Sequence, residues 1–345
     1  MLGLTMKKAM GELALIEQIR SGCGEAAARV AGPVRGVALG IGDDCAILRP
    51  PRGHEVLVTT DFSLEGRHFR RDWHPPESVG YRALARGLSD LAAMGAQPLA
   101  AFLSLALPPQ MLATRAGQRW VQRFFSGLRG LADSSAVPLA GGDTAESPCG
   151  LVLADIVLVG SAPAGCALRR SGGRAGDTLY VTGALGGAAA ELAGLNRATR
   201  SKRGASADHP QLYPQPRLAA GRALLRRHLA TAAIDVSDGL STDLAHLCRE
   251  SGVGAEVEQS ALPIHPLAAA TPERALDFAL NGGEDYELLF AAPASVKMPR
   301  SVAGVPITRI GRLVRGNAIS LIHLTGRRQP LKPAGWEHFS TKARR

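Results

Sequence analysis

Along almost the whole chain, strand-length runs of apolar and β-branched residues alternate with segments whose apolar residues recur every three or four positions. A strand turns successive side chains to opposite faces, whereas a helix gathers positions three and four apart onto one face. The alternation therefore predicts an α/β (α+β) protein with helices packed on sheets. EVLVTT (residues 55–60) and residues 99–107 and 150–159 read as strands in the first half. Residues 76–94 read as a helix with Val79, Ala83, Leu84, Leu88 and Leu91 on one side, closed by Gly95, and residues 115–132 as another. A short amphipathic helix is expected over 12–20 and a small strand over 37–39. The pattern returns later, with strands at 178–182, 232–236, 287–291, 308–311 and 318–323 and helices at 187–195, 217–228 and 240–250.

A chain of 345 residues is long for one hydrophobic core, so two domains are expected. The junction falls in the Ala-, Gly- and Arg-rich segment 161–176, which gives domains 1–162 and 163–345. Residues 196–210 are basic and polar and read as a surface loop.

The formal charge of +10 is dispersed, with small concentrations at 197–203 and 342–345. Dispersed charge describes solvated faces better than a nucleic-acid surface, and a positive field also suits anionic substrates. Five cysteines without a C-x-x-C pair argue against a disulfide framework or structural zinc, and fit a reducing cytosol. Glu12 and Glu17 interrupt the apolar residues behind Lys7 and Lys8, so no secretory leader is expected. The most apolar stretches are strand-length, so no membrane span is expected.

Aspartates recur beside Gly, Ser or Thr where strands are expected to end or helices to begin: Asp43 and Asp44, Asp61, Asp143, Asp235 and Asp238. Such positions set carboxylates at the rim of a sheet, where gathered carboxylates repel one another unless hard divalent cations sit among them. Each also fits an ordinary turn or N-cap. Asp90 differs, because it interrupts a Leu- and Ala-rich helical run where Asp is a poor helix former. No P-loop, no G-x-G-x-x-G after a strand and no protein-kinase signature occurs. The glycine-rich segment 183–187 lies between a strand and a helix, where its amides could meet a phosphate or simply form a tight turn.

In order, GIGDDCAIL (40–48), TTDFSLEGRHF (59–69), RALARGLSDLAAMGA (82–96), GGDT (141–144), LRRSGG (168–173), DVSDGLSTDL (235–244) and GGEDYEL (282–288) closely resemble the thiamine-monophosphate kinase family. The resemblance runs from about Glu12 to Phe339. It implies the two-domain architecture of aminoimidazole ribonucleotide synthetase-like enzymes, with N-terminal domains pairing in a homodimer, a C-terminal α/β domain, and direct γ-phosphate transfer from ATP to thiamine monophosphate. It also implies a shell for several Mg2+ ions from Asp44, Thr59, Thr60, Asp61, Asp90, Asp143, Asp235 and Asp238. Gly142, Asp143, Arg170 and Ser237 would contact ATP, and His68, Glu284 and Trp336 the thiamine monophosphate.

Phosphate attack on phosphate needs charge cancellation and in-line placement more than covalent help, so no obligatory general base is expected and Arg170 stands as a charge stabiliser. Asp43 and Asp243 lie near the proposed shell in sequence and read as structural, and Glu284 and Asp285 could also serve as caps or ion-pair partners. Gly87 and Ala145 stand where many relatives carry Asn and Thr, without removing a proposed ligand. The alternative within the same superfamily is an aminoimidazole ribonucleotide or selenophosphate synthetase. No nucleic-acid partner is expected.

Overall fold

The computed structural model describes residues 11–29, 36–197 and 209–339. Most of the basic stretch 196–210 and the tail beyond Phe339 lie outside them. Two compact units form, one from residues 1–88 with 98–161 and the other from 89–97 with 162–345. One helix, α2, starts in the first unit and gives its last residues to the second.

In the first unit the elements are α1 (Glu12–Arg29), β1 (Val37–Leu39), β2 (Ile47–Leu48), β3 (His54–Leu64), α2 (Pro76–Ala93), β4 (Gln97–Leu107), α3 (Pro109–Ala113), α4 (Arg115–Ser135), β5 (Leu139–Glu146) and β6 (Leu153–Pro163). Four strands make one sheet in the order β3, β6, β4, β5, and β1 pairs with β2 in a separate ribbon. The Thr114 hydroxyl accepts the Gly117 N–H and starts α4, while Ala136, left-handed at φ 52°, ends it. Leu84, Leu88, Phe124, Leu128 and Ile156 are fully buried in the described residues. The crossing of α2 and α4 has no room for side chains, since a Cβ at Gly80 would sit 1.9 Å from the Phe124 carbonyl oxygen and one at Gly127 1.8 Å from that of Glu77.

The second unit contains β7 (Thr178–Thr182), α5 (Gly187–Arg197), α6 (Leu218–Arg226), β8 (Ala232–Val236), α7 (Leu240–Ser251), β9 (Gly254–Glu258), α8 (Pro266–Ala269), α9 (Pro272–Asn281), β10 (Glu287–Ala292), β11 (Ser301–Val302), β12 (Val305–Val314), β13 (Ile319–Ile322) and β14 (Arg328–Pro330). Its sheet runs β14, β13, β9, β12, β7, β10, β8, with β11 added on β12. Leu179, Val181, Ile234, Val236, Leu240, Leu244 and Leu289 belong to its core. Burying side chains of this size, each at roughly 1.5–3 kcal/mol, is what holds α7 on the sheet. The end of α2 joins this unit closely: a Cβ at Gly221 would lie 1.9 Å from the Ala92 carbonyl oxygen.

Several expectations change in detail. Helix α1 continues to Arg29, through the Ala-rich residues after Gly24, rather than ending at 20. Strands β5 and β9 and helix α9 lie outside the sequence reading. The aspartates are not all at turns, because Asp61 lies within β3, Asp143 within β5 and Asp235 within β8. Pairing with neighbouring strands overrides the low strand preference of Asp and Gly at these places.

Candidate functional site

In the first unit the candidate residues sit on β3, β5 and two loops. Asp43 and Asp44 are exposed, and the Asp43 carboxylate accepts the Asp44 N–H at 2.9 Å. On β3, the Thr60 hydroxyl donates to Asp155 Oδ1 on neighbouring β6 at 2.8 Å, so its lone pairs point elsewhere. Asp61 Oδ1 is 3.7 Å from the Arg86 guanidinium, a long ion pair. Thr59 is half-buried beside them. Asp143 on β5 is exposed, opposite Ser104 of parallel β4, and accepts the Thr144 N–H at 2.9 Å. Gly142 before it must be glycine: φ is 151° and a Cβ would stand 1.9 Å from the Leu103 carbonyl oxygen.

His68 belongs to the loop after β3. Its Nδ1 accepts the Leu64 N–H at 3.0 Å, so Nε2 carries the proton of the neutral ring. Beneath the loop, buried Arg82 donates to the His68 carbonyl at 3.0 Å and to His74 Nε2 at 3.3 Å. His74 Nδ1 lies 3.2 Å from both the Arg70 N–H and the Arg70 carbonyl, so the ring is tied to the Arg70 backbone on one side and to Arg82 on the other.

The second unit carries the rest. Asp235 lies one residue before the end of β8 and is buried, with the Ser89 hydroxyl of α2 donating to its Oδ2 at 2.7 Å, next to Asp90 on the same helix. After β8 the chain turns through Ser237, Asp238 and Gly239 before α7 begins. The N–H groups of all three donate to one oxygen, Oδ2 of Asp243, at 3.1, 3.1 and 3.0 Å. Burial first, then the nearby Asp235 and Asp238 carboxylates, push the Asp243 carboxyl up to about 8.

The carbonyls of the same turn serve other segments. Ser237 O accepts the Glu284 N–H at 2.8 Å and Asp238 O the Trp336 N–H at 2.9 Å. Just before Trp336, the Ala334 and Gly335 N–H groups donate to the Ser241 and Thr242 hydroxyls at 3.2 and 3.1 Å. Glu284 is held left-handed at φ 70°, and its Oε2 accepts from Gln211 at 2.9 Å. Gln211 is itself fastened through its backbone N–H to Glu191 of α5 at 2.8 Å. The Arg170 side chain is exposed, while its carbonyl accepts the Ser251 hydroxyl at 2.6 Å.

The glycine-rich segment 183–187 turns out to serve an internal anion. The amides of Gly186 and Ala188, at the start of α5, donate to the two oxygens of buried Asp285 at 2.6 and 3.0 Å. Burial raises the Asp285 carboxyl to about 7, against the lowering effect of these bonds. The Gly183 and Leu185 N–H groups donate to the Pro306 and Pro263 carbonyls, so the amides of this segment are engaged within the protein, and Asp285 takes the capping role.

Within the second unit the structure thus brings Ser237, Asp238, Glu284 and Trp336 around one turn, with Asp235 at its base. Among the described residues no three His, Cys, Asp or Glu side chains converge to metal-ligating distance. Sequence reasoning missed Asp155, Arg82, Gln211 and Gly335. Arg82 lies in a quoted motif and could have been noticed as a charge in an apolar run; Gln211 carried no local signal.

Comparison with known proteins follows the same lines. Residues 42–162 match the family model of the AIR synthase related protein N-terminal domain, and residues 174–323 that of the C-terminal domain. Fold and residue pattern together thus define an AIR synthase-related protein. Within that class, the chain belongs to the thiamine-monophosphate kinase family. It is 39% identical over 314 residues to thiamine-monophosphate kinase of Escherichia coli K12, covering 88% of this chain and 93% of the relative. Its structure resembles thiamine-monophosphate kinase from Stenotrophomonas maltophilia K279a with a TM-score of 0.77 at 35% identity, over 90% and 96% of the two chains. It also resembles AaThiL complexed with AMPPCP and TMP, with a TM-score of 0.72 at 28% identity, over 98% and 100%.

Proposed function

We propose that the protein phosphorylates thiamine monophosphate to thiamine diphosphate with ATP as donor, using Mg2+ and working as a homodimer in the cytosol. The observation that carries this reading is the turn at 237–239, whose backbone links Ser237 and Asp238 to Glu284 and Trp336 through bonds of 2.8 and 2.9 Å. A phosphoryl transfer between two phosphorylated substrates needs both held against one framework, and this turn would supply one on the nucleotide and substrate sides at once.

Asp44, Thr59, Thr60, Asp61, Asp90, Asp143, Asp235 and Asp238 would hold the metal, and these oxygen donors, without a thiolate or imidazole, fit a hard divalent ion. Bound there, Mg2+ supplies neutralisation of the phosphate charge. Arg170 would add a positive charge at the ATP phosphates, and Gly142, Asp143 and Ser237 would also contact ATP. His68, with its proton on Nε2, offers a donor to an anionic substrate. No side chain has to remove a proton from the nucleophile, since the acceptor phosphate is already an anion.

Pairing of two chains is supported by β3, an edge strand whose exposed Val56, Val58 and Phe62 share one face. Among the described residues no helix is long and apolar enough to cross a membrane. Cys45, Cys149, Cys166 and Cys248 are free thiols, in keeping with a reducing compartment.

The test is formation of thiamine diphosphate from ATP, thiamine monophosphate and MgCl2, followed by chromatography. Product is expected with magnesium and none with excess chelator. Folded protein that consumes ATP with aminoimidazole ribonucleotide precursors or selenide, but not with thiamine monophosphate, would overturn the proposal.

A further inference from the structure

Asp243 is not among the three residues proposed to meet thiamine monophosphate, yet its side chain accepts every backbone N–H of the turn at 237–239. It sits in the first turns of α7, whose N-cap residue, Gly239, has φ 114° and no side chain to cap the helix. The carboxylate reaches back over the helix start and gathers the N–H groups of residues 237, 238 and 239 on one oxygen. With these three N–H groups directed inward, the carbonyls of Ser237 and Asp238 are left to accept the Glu284 and Trp336 N–H groups. The backbone of α7 tightens the same turn, as the Thr242 and Asp243 N–H groups both donate to Gly239 O at 2.9 and 3.0 Å.

We infer that Asp243 is the positioning residue of the site, setting through one buried oxygen the peptide orientations that hold Ser237 and Asp238 for the nucleotide and anchor the Glu284 and Trp336 segments for the phosphate acceptor. The inference rests on the proposed function for the identity of the two substrates. Its distinctive consequence is shared dependence: a change at Glu284 or Trp336 disturbs one substrate, whereas a change at Asp243 disturbs both.

Steady-state kinetics test this with each substrate varied at saturating levels of the other. Asp243→Ala removes the acceptor of three amides and is expected to raise KM for ATP and KM for thiamine monophosphate together by about tenfold or more. Asp243→Asn retains an oxygen able to accept and is expected to restore both KM values to within about threefold of wild type. Trp336→Ala is expected to raise only KM for thiamine monophosphate. A purely structural role would lower the melting temperature and the active fraction, hence kcat, while leaving both KM values in place.

If Asp243→Ala does not fold, Asp243→Glu, which keeps the carboxyl group but displaces its oxygens by a methylene, is expected to show the same joint rise. Both KM values within twofold of wild type in the Ala or Glu variant, or an Asn variant as impaired as Ala, would overturn the inference. Should the wild type form no thiamine diphosphate, the substrate assignment fails, and calorimetric titration of wild type and Asp243→Ala with ATP and MgCl2 still decides the positioning role by the same tenfold criterion.

Discussion

Replacing Gly335 by alanine tests whether the C-terminal segment acts as a strap over the site. A Cβ there would lie 2.0 Å from the Asp238 carbonyl oxygen and 2.8 Å from Thr242 Oγ1. Neither the turn carbonyl nor the chain at 335 can yield without a shift of roughly 1 Å, which carries neighbouring hydrogen bonds out of range. The bonds at stake are Trp336 N–H to Asp238 O at 2.9 Å, Gly335 N–H to Thr242 at 3.1 Å and Ala334 N–H to Ser241 at 3.2 Å. At about 1 kcal/mol each, their loss disfavours the docked segment by about 3 kcal/mol, or roughly two powers of ten in its equilibrium.

Because Trp336 is 42% exposed and lies outside the buried core, little of the core is lost with it, and the melting temperature should move by no more than a few degrees. In the thiamine diphosphate assay, Gly335→Ala is expected to raise KM for thiamine monophosphate between about 10- and 100-fold while KM for ATP stays within about twofold. The double variant with Trp336→Ala should be no worse than the more impaired single variant, since both remove one contact. An unchanged KM for thiamine monophosphate, or an equal rise in both KM values, would refute the strap.

Other consequences follow from the two units. Asp143→Asn is expected to raise the magnesium concentration for half-maximal rate by roughly 10–100-fold with the fold intact by circular dichroism, whereas normal activity would exclude Asp143 from the metal site. Arg82→Met takes away the donors to the His68 carbonyl and to His74, and should cost about 1–3 kcal/mol in chemical denaturation and raise KM for thiamine monophosphate more than KM for ATP. Asp285 titrates near 7 when folded against an ordinary carboxylate value when unfolded, so the folded state binds the extra proton between about pH 4 and 7. The contribution of Asp285 to stability is therefore full below that window and falls as pH rises through it, by about 4 kcal/mol at most. Denaturation of wild type and Asp285→Asn across this range should show the difference in slope, and parallel profiles would contradict it.

The sequence made the alternation of elements legible because the apolar spacing of α2, α4 and α7 survives into the core, and the ordered motifs carried the family. The C-terminal signal at Gly95 also reappears as a left-handed residue, φ 67°. Strand β5 escaped because its Gly-Gly-Asp-Thr centre has little strand preference, and only its parallel pairing with β4 makes it a strand. The partners of Asp285 escaped for a related reason: 97 and 99 residues separate it from Ala188 and Gly186, and no local pattern announces so distant a bond. Gly335 was silent because its requirement comes from a neighbour's carbonyl rather than from its own backbone angle.

Helix α2 has a consequence for how such a protein can be inherited. Its closing residues give the second unit the hydroxyl that meets Asp235 and the backbone that lies against Gly221, and Gly95 just beyond it lies against Leu225. A gene segment encoding only residues 163–345 would leave these behind. Exchange of C-terminal halves between relatives by recombination therefore demands a match at residues 89–97 on the far side of the crossover, and that short stretch is tied to the second half although it is transcribed with the first.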